Sequence, residues 1–306
     1  MAELQPKNNT LLVLAGPTAV GKTAYAIRMA RELNTEIISA DSRQFYSEMS
    51  IGTAKPTIAE LKQVQHHFIG QLSIHQQYNV SNFEQDALLK LAELFQTYPI
   101  VILTGGSGLY IDVLCKGVDD FPDPSPELRA QLKELLRKEG IFALQNLLME
   151  KDPAYYLEVD LANPNRLIRA LEVCITTGRS YSSLRKNSNK ERPFEIVKVA
   201  LNLPREILFS RINLRVDQMM AQGLLEEAKS LLTVRHLNAL NTVGYKELFS
   251  YFDGECSLEQ AVTDIKTNTR RYAKRQLTWF KKDPEYSWIS PEDETAYQAL
   301  LGRFLK

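Results

Sequence analysis

Gly16-Pro17-Thr18-Ala19-Val20-Gly21-Lys22-Thr23 is the stretch that decides the fold of this chain, because it matches a phosphate-binding loop. The apolar run 11–15 before it predicts a buried strand, and residues 23–33 after it predict a helix. In such a loop the backbone N–H groups and the positive end of the helix bind an anion. Lys22 adds a positive charge, and Thr23 can bind a magnesium ion. The stretch therefore predicts a diphosphate or polyphosphate site, but not by itself a nucleotide or its hydrolysis.

Composition narrows the class of protein. The chain has 306 residues, 44% of them hydrophobic, which is enough for one large core or for a core with a smaller inserted domain. Lys plus Arg number 37 and so do Asp plus Glu, so a nucleic-acid partner would need a local basic surface. Cys115, Cys174 and Cys256 are isolated, which argues against a disulfide framework or a zinc site. We expect a cytoplasmic protein that does not enter a membrane.

Strands and helices alternate in the first part of the chain. Residues 36–40 predict a second strand that ends at Asp41, and residues 99–104 predict a third that runs into Gly105-Gly106-Ser107-Gly108. Between them we expect a helix over 81–95, with Ser81 as its N-cap. This alternation predicts a parallel sheet flanked by helices. Functional groups should gather where the strands end, which places Asp41 and Ser107 beside the phosphate loop.

The pattern changes after Gly117. Residues 119–126 are rich in Asp and Pro and predict a linker, and helical patterns follow, one of them capped by Asn163 and Gly178. A strand is predicted again over 195–201. We therefore expect an α/β fold with a P-loop-type parallel sheet flanked by helices and an inserted all-helical domain. The core would comprise residues 1–117 and 196–306, and the insertion residues 118–195.

Several residues are candidates for chemistry. Asp41 could act as a general base or bind magnesium through water, although a turn aspartate is a common alternative. The third strand ends in Thr104 rather than in an aspartate, which weighs against an ordinary ATPase. The segment 105–108 fits either a second anion-binding nest or a flexible turn. Arg211 and Arg215 could bind a diphosphate, although their spacing favours a solvated helix face.

The segment 266–282 contains seven basic residues and no acidic one, interleaved with Tyr272, Trp279 and Phe280. Basic and aromatic side chains together can bind the phosphates and bases of a nucleic acid. A charged helix face is more often only solvated. The absence of any acidic residue favours binding.

Seven stretches together resemble the tRNA dimethylallyltransferases, also called isopentenyl-diphosphate:tRNA transferases. They occur in that family's order across nearly the whole chain, so the joint match is far more specific than the phosphate loop alone. The stretches are 16–23, Ser39-Ala40-Asp41-Ser42-Arg43-Gln44, Gly52-Thr53-Ala54-Lys55-Pro56, Gly105-Gly106-Ser107-Gly108-Leu109-Tyr110, Arg166-Leu167-Ile168-Arg169-Ala170-Leu171-Glu172, Val243-Gly244-Tyr245-Lys246 and Arg271-Tyr272-Ala273-Lys274-Arg275-Gln276.

The resemblance implies transfer of a dimethylallyl group from dimethylallyl diphosphate to N6 of adenosine 37, next to the tRNA anticodon, with release of diphosphate. It implies that Asp41 is the base and that Gly16 to Thr23 hold the diphosphate, with Mg²⁺ at Thr23. Lys22 and Arg215 would stabilise the charge on the leaving group. Ser107 stands where the family usually has threonine, and it keeps the hydroxyl group.

The resemblance also implies contacts with the tRNA anticodon stem-loop, partly through the insertion. They are assigned to Asp41, Ser42, Arg43, Gln44, Ser107, Arg129, Asn165, Arg166, Leu167, Ile168, Arg169, Gly244, Tyr245 and Lys246. No Cys/His ligand set for a zinc finger occurs, which indicates a bacterial-type enzyme, and nothing indicates an obligate dimer, so we expect a monomer.

Three other functions share some of these features. A small-molecule kinase would use the phosphate loop for ATP and the insertion as a lid. An enzyme that prenylates free adenine nucleotides would use the same chemistry without tRNA. A non-catalytic RNA-binding protein would bind tRNA without consuming dimethylallyl diphosphate. The motifs after the loop count against the kinase.

Overall fold

A parallel β-sheet forms the centre of the computed structural model, which describes residues 9–119, 121, 125–185 and 189–305. Its strands are β1 (Thr10–Ala15), β2 (Ile37–Ser39), β3 (His66–His67), β4 (Ile100–Gly105), β5 (Glu195–Leu201) and β6 (Ser287–Ile289). The six strands lie in the order β3-β2-β4-β1-β5-β6, and every neighbouring pair is parallel. This arrangement confirms the predicted fold class.

Fourteen α-helices are described. They are α1 (Lys22–Glu32), α2 (Ile58–Leu61), α3 (Val80–Leu94), α4 (Gly108–Lys116), α5 (Pro126–Glu139), α6 (Ile141–Lys151), α7 (Pro153–Glu158), α8 (Pro164–Thr177), α9 (Tyr181–Leu184), α10 (Arg205–Ala221), α11 (Leu224–Ser230), α12 (Tyr245–Phe252), α13 (Leu258–Phe280) and α14 (Glu294–Gly302). Short 3₁₀ helices cover Leu232–Val234 and Asn238–Leu240.

Both faces of the sheet are covered, so its central strands consist mostly of apolar residues. All six residues of β1 are buried. Leu12 and Leu14 face a cluster that contains residues of α1 and α10, whereas Leu11 and Val13 face a cluster built with α3 and α4. Burial on both faces is the general reason why strands of parallel sheets read as continuous apolar runs.

Local signals placed most elements correctly. Strand β5 spans the predicted residues. Helix α8 begins after Asn163, whose side chain accepts a hydrogen bond from the N–H of Arg166, and it ends at Gly178.

The prediction of Ser81 as a helix N-cap is wrong. The N-cap of α3 is Asn79, whose side-chain oxygen accepts hydrogen bonds from the N–H groups of Ser81 and Asn82. A cap two residues earlier satisfies those N–H groups and lengthens the helix at its start.

The chain folds into two compact units. One comprises residues up to Cys115 and from Glu191 onward and contains the sheet; the other comprises Lys116–Lys190 and, where described, is helical apart from its connecting segments. The helical unit has its own apolar core, in which Leu144, Leu148, Leu167 and Leu171 are all fully buried. The division precedes β5, whereas the predicted boundary after residue 195 lies inside that strand.

Candidate active site

Three loops meet at one edge of the sheet because β2, β4 and β1 are neighbours in it. The phosphate loop follows β1, Asp41 follows β2, and Ser107 follows β4. All three strands are parallel, so their carboxyl ends share an edge. The backbone N–H of Ala40 donates to the carbonyl oxygen of Thr104 at 2.7 Å and extends the pairing of β2 with β4 to the residue before Asp41.

The phosphate loop curls around the ammonium group of Lys22. Its Nζ donates hydrogen bonds to the carbonyl oxygens of Gly16 at 3.0 Å and Pro17 at 2.8 Å. Gly16 and Gly21 have φ angles of 144° and 103°, a region that glycine adopts without a Cβ clash. A Cβ atom at Gly16 would also lie 2.7 Å from the carbonyl oxygen of Leu201 on β5. The loop is thus closed against the sheet, with its cation in the centre.

Three ionisable groups influence one another at this edge. Burial lowers the pKa of Lys22 to about 7, the charge of Asp41 opposes that shift, and the charge of Arg215 adds to it. Burial raises the pKa of Asp41. The N–H of Arg43, which donates a hydrogen bond to Oδ1 at 3.0 Å, and the charge of Lys22 both oppose this rise. A desolvated carboxylate with a raised pKa beside an anion-binding loop has the properties of a general base.

Ser107 lies against the segment that carries Asp41. Its Oγ accepts a hydrogen bond from the N–H of Ser42 at 3.0 Å, and its own N–H donates to the carbonyl oxygen of Ala40 at 3.3 Å. Gly105 permits this contact because a Cβ atom there would overlap the Ala40 carbonyl group. The three residues predicted to form the reaction centre, Lys22, Asp41 and Ser107, are therefore brought together.

Helix α13 supplies two site residues, Tyr272 and Gln276, to which sequence reasoning assigned no role at the reaction centre. Tyr272 lies near Ser107, and burial together with the charge of Asp41 raises its pKa. Gln276, one turn later, is buried and contacts the phosphate loop. The only sequence signal was the quoted stretch 271–276, in which these two residues stand at i and i+4 and therefore on one face of the helix.

Arg215 and Arg211 lie one helical turn apart on α10 but in different environments. Arg211 is 40% exposed and pairs with Glu292 at 2.6 Å, while also approaching the Val20 carbonyl oxygen at 3.5 Å. Arg215 is partly buried, its pKa is lowered by that burial, and it makes no hydrogen bond or ion pair with another described residue. The prediction of a solvated helix face is therefore wrong for Arg215.

The predicted tRNA-binding segment Asp41–Gln44 is tied to its surroundings. Arg43 donates to the carbonyl oxygen of Asn238 at 3.1 Å, and Gln44 donates to the carbonyl oxygens of Thr53 and Ala54, both at 3.1 Å. Gln44 thus uses its amide NH₂ group to order the Gly52–Pro56 stretch. All four residues of the segment are partly exposed.

Three residues predicted to contact tRNA have buried side chains. Leu167 and Ile168 are 0% and 5% exposed in the core of the helical unit, and Tyr245 is 0% exposed on α12. Apolar packing holds Leu167 and Ile168, and packing together with a hydrogen bond to Glu227 holds Tyr245. The prediction of side-chain contacts with tRNA is therefore corrected for these three residues. Their neighbours Asn165, Arg166 and Lys246 are exposed, and Arg169 is partly exposed.

Arg129 has a structural partner within the helical unit. Its guanidinium binds both carboxylate oxygens of Glu172, at 2.6 and 2.9 Å, and the carboxylate of Glu172 is fully buried. Arg169 lies 3.7 Å from the same carboxylate. A bidentate pair with a buried carboxylate is a strong geometric constraint, so Arg129 stabilises this unit whatever else it binds.

Some basic side chains of segment 266–282 pair with other side chains of the protein, and others are exposed. Lys266 pairs with Asp217 at 2.6 Å, and Arg270 donates to Asn213 at 2.6 Å. Lys274, Arg275, Lys281 and Lys282 are exposed. Lys274 and Lys281 border a groove of about 570 Å³ at the start of α10, on a face of α13 different from that of Tyr272 and Gln276.

Metal clusters and membrane spans are both absent from the described part of the chain. It contains no group of three or more His, Cys, Asp or Glu side chains that could hold a metal ion. None of its helices combines the length and the apolar character that a membrane span requires.

Comparisons with known proteins agree with this geometry. A family model described as IPP transferase matches residues 44–283. A tRNA dimethylallyltransferase from Christiangramia forsetii is 52% identical over 288 residues, covering 94% of this chain and 95% of that protein. A tRNA dimethylallyltransferase 2 from Parabacteroides distasonis is 51% identical over 295 residues, covering 96% and 99%.

Solved structures give the same result. The full-length tRNA isopentenylpyrophosphate transferase of Bacillus halodurans has a TM-score of 0.71 and 34% identity, with 96% of this chain and 95% of that chain covered. A eukaryotic dimethylallyltransferase acting on tRNA has a TM-score of 0.79 and 25% identity, with 96% and 77% covered. The matched family model, the sequence relatives and the shared fold lead to one conclusion: this chain belongs to the tRNA dimethylallyltransferase family.

Proposed function

We propose that this chain transfers a dimethylallyl group from dimethylallyl diphosphate to N6 of adenosine 37 in tRNA and releases diphosphate. Membership of a family of transferases supports this activity. The observation that carries the assignment to this site is that the phosphate loop, Asp41 and Ser107 follow three neighbouring parallel strands, whose carboxyl ends share one edge of the sheet. A base beside a diphosphate-binding loop is what prenyl transfer to a weakly nucleophilic amine needs.

In the proposed reaction the N6 amine attacks C1 of the dimethylallyl group. An N–C bond forms while the bond between C1 and the diphosphate oxygen breaks, and both electrons of that bond leave with the diphosphate. Asp41 accepts the proton that N6 loses. Lys22 and Arg215 stabilise the negative charge that develops on the leaving group, the largest electrostatic change in the reaction.

Ser107 is proposed to help orient the adenine at Asp41. Its hydroxyl accepts a hydrogen bond from the N–H of Ser42 and its own N–H donates to the carbonyl oxygen of Ala40, so it is held in place before a substrate arrives. A fixed hydroxyl can orient the adenine edge toward C1. The target base must leave the anticodon-loop stack to reach such a site, at a cost of a few kcal/mol.

A magnesium ion fits the residues of the loop. Thr23 offers a hydroxyl oxygen in the first turn of α1, directly after Lys22. Magnesium in phosphate sites takes one or two protein ligands and completes its coordination with substrate oxygens and water, so a cluster of carboxylates is not required. Mg²⁺ held by Thr23 and the diphosphate would neutralise charge on the leaving group.

The exposed side chains among the predicted tRNA contacts are proposed to bind the anticodon stem-loop. They are Ser42, Arg43, Asn165, Arg166, Arg169 and Lys246, the first two and Arg169 being partly exposed. Exposed cationic side chains bind phosphates without recognising the base sequence, whereas the target base is recognised at the reaction centre. We place the enzyme in the cytoplasm, where tRNA is found, and propose that it acts as a monomer.

A transfer assay tests this function. Protein, Mg²⁺ and radiolabelled dimethylallyl diphosphate are incubated with an anticodon stem-loop that carries adenine at position 37, and in parallel with AMP. We expect label in the RNA, and none when that adenine is replaced by guanine. Label only in AMP would reassign the enzyme to free nucleotides. No label in either tube, together with ADP formed from ATP in a kinase screen, would replace the proposal by a kinase.

A further inference from the structure

Gln276 joins two loops of the site through one side-chain amide. Its Oε1 accepts a hydrogen bond from the N–H of Thr18 in the phosphate loop, and its Nε2 donates to the carbonyl oxygen of Gly106, both at 2.8 Å. The side chain is only 5% exposed. Both polar ends of a buried amide are therefore satisfied by backbone groups of different loops, which fixes its orientation.

The glycines after β4 admit this contact. A Cβ atom at Gly106 would overlap the amide nitrogen of Gln276, and one at Gly105 would overlap the carbonyl of Ala40. Neither glycine is among the described residues with positive φ. Close approach, rather than an unusual backbone angle, therefore requires glycine at both positions. Of the two sequence interpretations of 105–108, the structure supports neither a separate anion nest nor a flexible turn, but a packed junction.

The contact continues from the loop to the reaction centre. Gly106 precedes Ser107, whose backbone and hydroxyl bond to Ala40 and Ser42 on either side of Asp41. Tyr272, on the same face of α13 as Gln276, lies near Ser107 and interacts with the charge of Asp41. Gln276 thus joins the phosphate loop to the residue before Ser107, and the hydrogen bonds of Ser107 continue the contact to the residues on either side of Asp41.

We propose that Gln276 is a positioning residue that couples the phosphate loop to the segment carrying Ser107, so that diphosphate and the target adenosine bind cooperatively. The inference rests on the proposed function for the identity of the second ligand. A ligand that orders one loop also fixes the Gln276 amide and with it the other loop, so the second ligand meets a site already ordered. By linkage the effect must be equal in both directions.

Binding of one ligand in the presence of the other measures this coupling. The probes are inorganic diphosphate with Mg²⁺ and an anticodon stem-loop with adenine at position 37, titrated by calorimetry. In the wild-type protein we expect diphosphate to raise the stem-loop affinity by a factor between about 5 and 150. Gln276→Met, which has a similar length and makes neither hydrogen bond, should reduce this factor to about 1–2, with each separate affinity within about threefold of wild type.

Two further variants separate coupling from folding. Gln276→Asn keeps an amide but is too short to span both loops, so it should also lose the coupling. Gln260→Met changes an exposed glutamine on the same helix and should keep the wild-type factor. In turnover, the KM for each substrate, measured at a saturating concentration of the other, should rise by about the lost coupling factor in both Gln276 variants. If Gln276 had only a structural role, its substitution would lower the melting temperature and leave the coupling factor unchanged.

The inference is overturned if the wild-type protein shows no coupling, or if a folded Gln276 variant keeps the wild-type factor. Failure of the proposed function has a different signature. In that case the wild-type protein transfers no dimethylallyl group to the stem-loop at all. Failure of this inference alone leaves wild-type transfer intact, with either no coupling in the wild-type protein or the wild-type factor in a folded Gln276 variant.

Discussion

The Oε1 atom of Glu227 accepts a hydrogen bond of 2.7 Å from the hydroxyl of the fully buried Tyr245 and another of 2.9 Å from the N–H of Gly52. The Oε2 atom accepts from the N–H groups of Ser50 and Ile51, at 2.9 and 2.8 Å. One carboxylate on α11 therefore fixes the turn that Gln44 contacts from the other side. A Cβ atom at Gly52 would lie 2.7 Å from the Tyr245 hydroxyl, so glycine is required there.

Replacing Glu227 by Gln should destabilise the protein. The amide keeps one acceptor oxygen but presents an NH₂ group to N–H donors, so the turn loses charge-assisted hydrogen bonds worth about 1.5–3 kcal/mol. We expect a lower free energy of unfolding by roughly that amount in urea denaturation. Glu226→Gln changes a neighbouring glutamate outside this network and should leave stability within about 0.5 kcal/mol. Equal stability of the two variants would contradict the anchoring role.

Asp41→Asn should abolish most transfer while preserving both substrate affinities. Asparagine has nearly the same shape and still accepts from the N–H of Arg43, but it cannot take the proton from N6. A general base contributes about 10²–10⁴ in rate, so kcat should fall by that factor. Single-turnover kinetics with labelled dimethylallyl diphosphate measure it. Because burial raises the pKa of Asp41, the wild-type rate should fall as the pH drops through that raised value. Near-normal turnover would remove Asp41 from the base role.

Diphosphate affinity should decrease at alkaline pH because of Lys22. Burial lowers the pKa of this group to about 7, so in the free enzyme the cation is present below that pH and is lost above it. Calorimetric titration of diphosphate into wild type and Lys22→Met at several pH values isolates the effect. The ratio of the two affinities should be largest at acidic pH and fall toward one above pH 7. A ratio independent of pH would show that Lys22 stays protonated throughout.

Arg215→Met should lower activity without lowering stability. This arginine is partly buried and has no hydrogen bond or ion pair to any described residue, so its removal relieves a desolvated charge. We expect kcat/KM to fall by about 10²–10³ and the melting temperature to stay the same or rise. Arg211→Met is the matched control, since Arg211 pairs with Glu292 at 2.6 Å and is 40% exposed. Similar losses of activity in the two variants would exclude a specific role for Arg215.

Substitution of Arg129 should lower the stability of the protein, whereas substitution of Arg166 should weaken tRNA binding. Arg129→Met leaves the buried carboxylate of Glu172 with Arg169, 3.7 Å away, as its one cationic partner among the described residues, so the helical unit should lose up to about 3–5 kcal/mol and become sensitive to limited proteolysis. Arg166→Ala removes an exposed cation. It should leave stability unchanged and weaken stem-loop binding with a salt slope reduced by about 0.7–0.9. An unchanged salt slope would remove Arg166 from the phosphate contacts.

Within the predicted tRNA-binding segments, the sequence prediction did not distinguish buried from exposed residues. Asn165 to Arg169 were assigned as a block, yet the helical repeat of α8 turns Leu167 and Ile168 into the apolar core and leaves Arg166 exposed. The amphipathic period could have made this distinction. For Tyr245 no local signal existed, because its burial depends on Glu227 and on the turn at Gly52, both distant in sequence.

The short edge strands were not predicted from the sequence either. Strand β3 consists of His66 and His67, with no apolar run, and β6 spans only Ser287–Ile289. Such segments become strands because a neighbour offers unpaired backbone groups, as β2 does for β3 and β5 for β6. Segments of two or three residues are too short for an alternating pattern to reveal them, even though Trp288 and Ile289 favour strands.

The sequence by itself determined the phosphate loop, the strand and helix on either side of it, the caps of α8 and the order of strand and helical segments. These depend on neighbours within a few residues, where backbone sterics and side-chain period act directly. Only the tertiary structure decided that Gln276 reaches Thr18 across 258 positions of sequence, and that Arg215 is desolvated while Arg211 is not. Those relationships depend on which strands become neighbours, and the burial and pKa of each group follow from that packing.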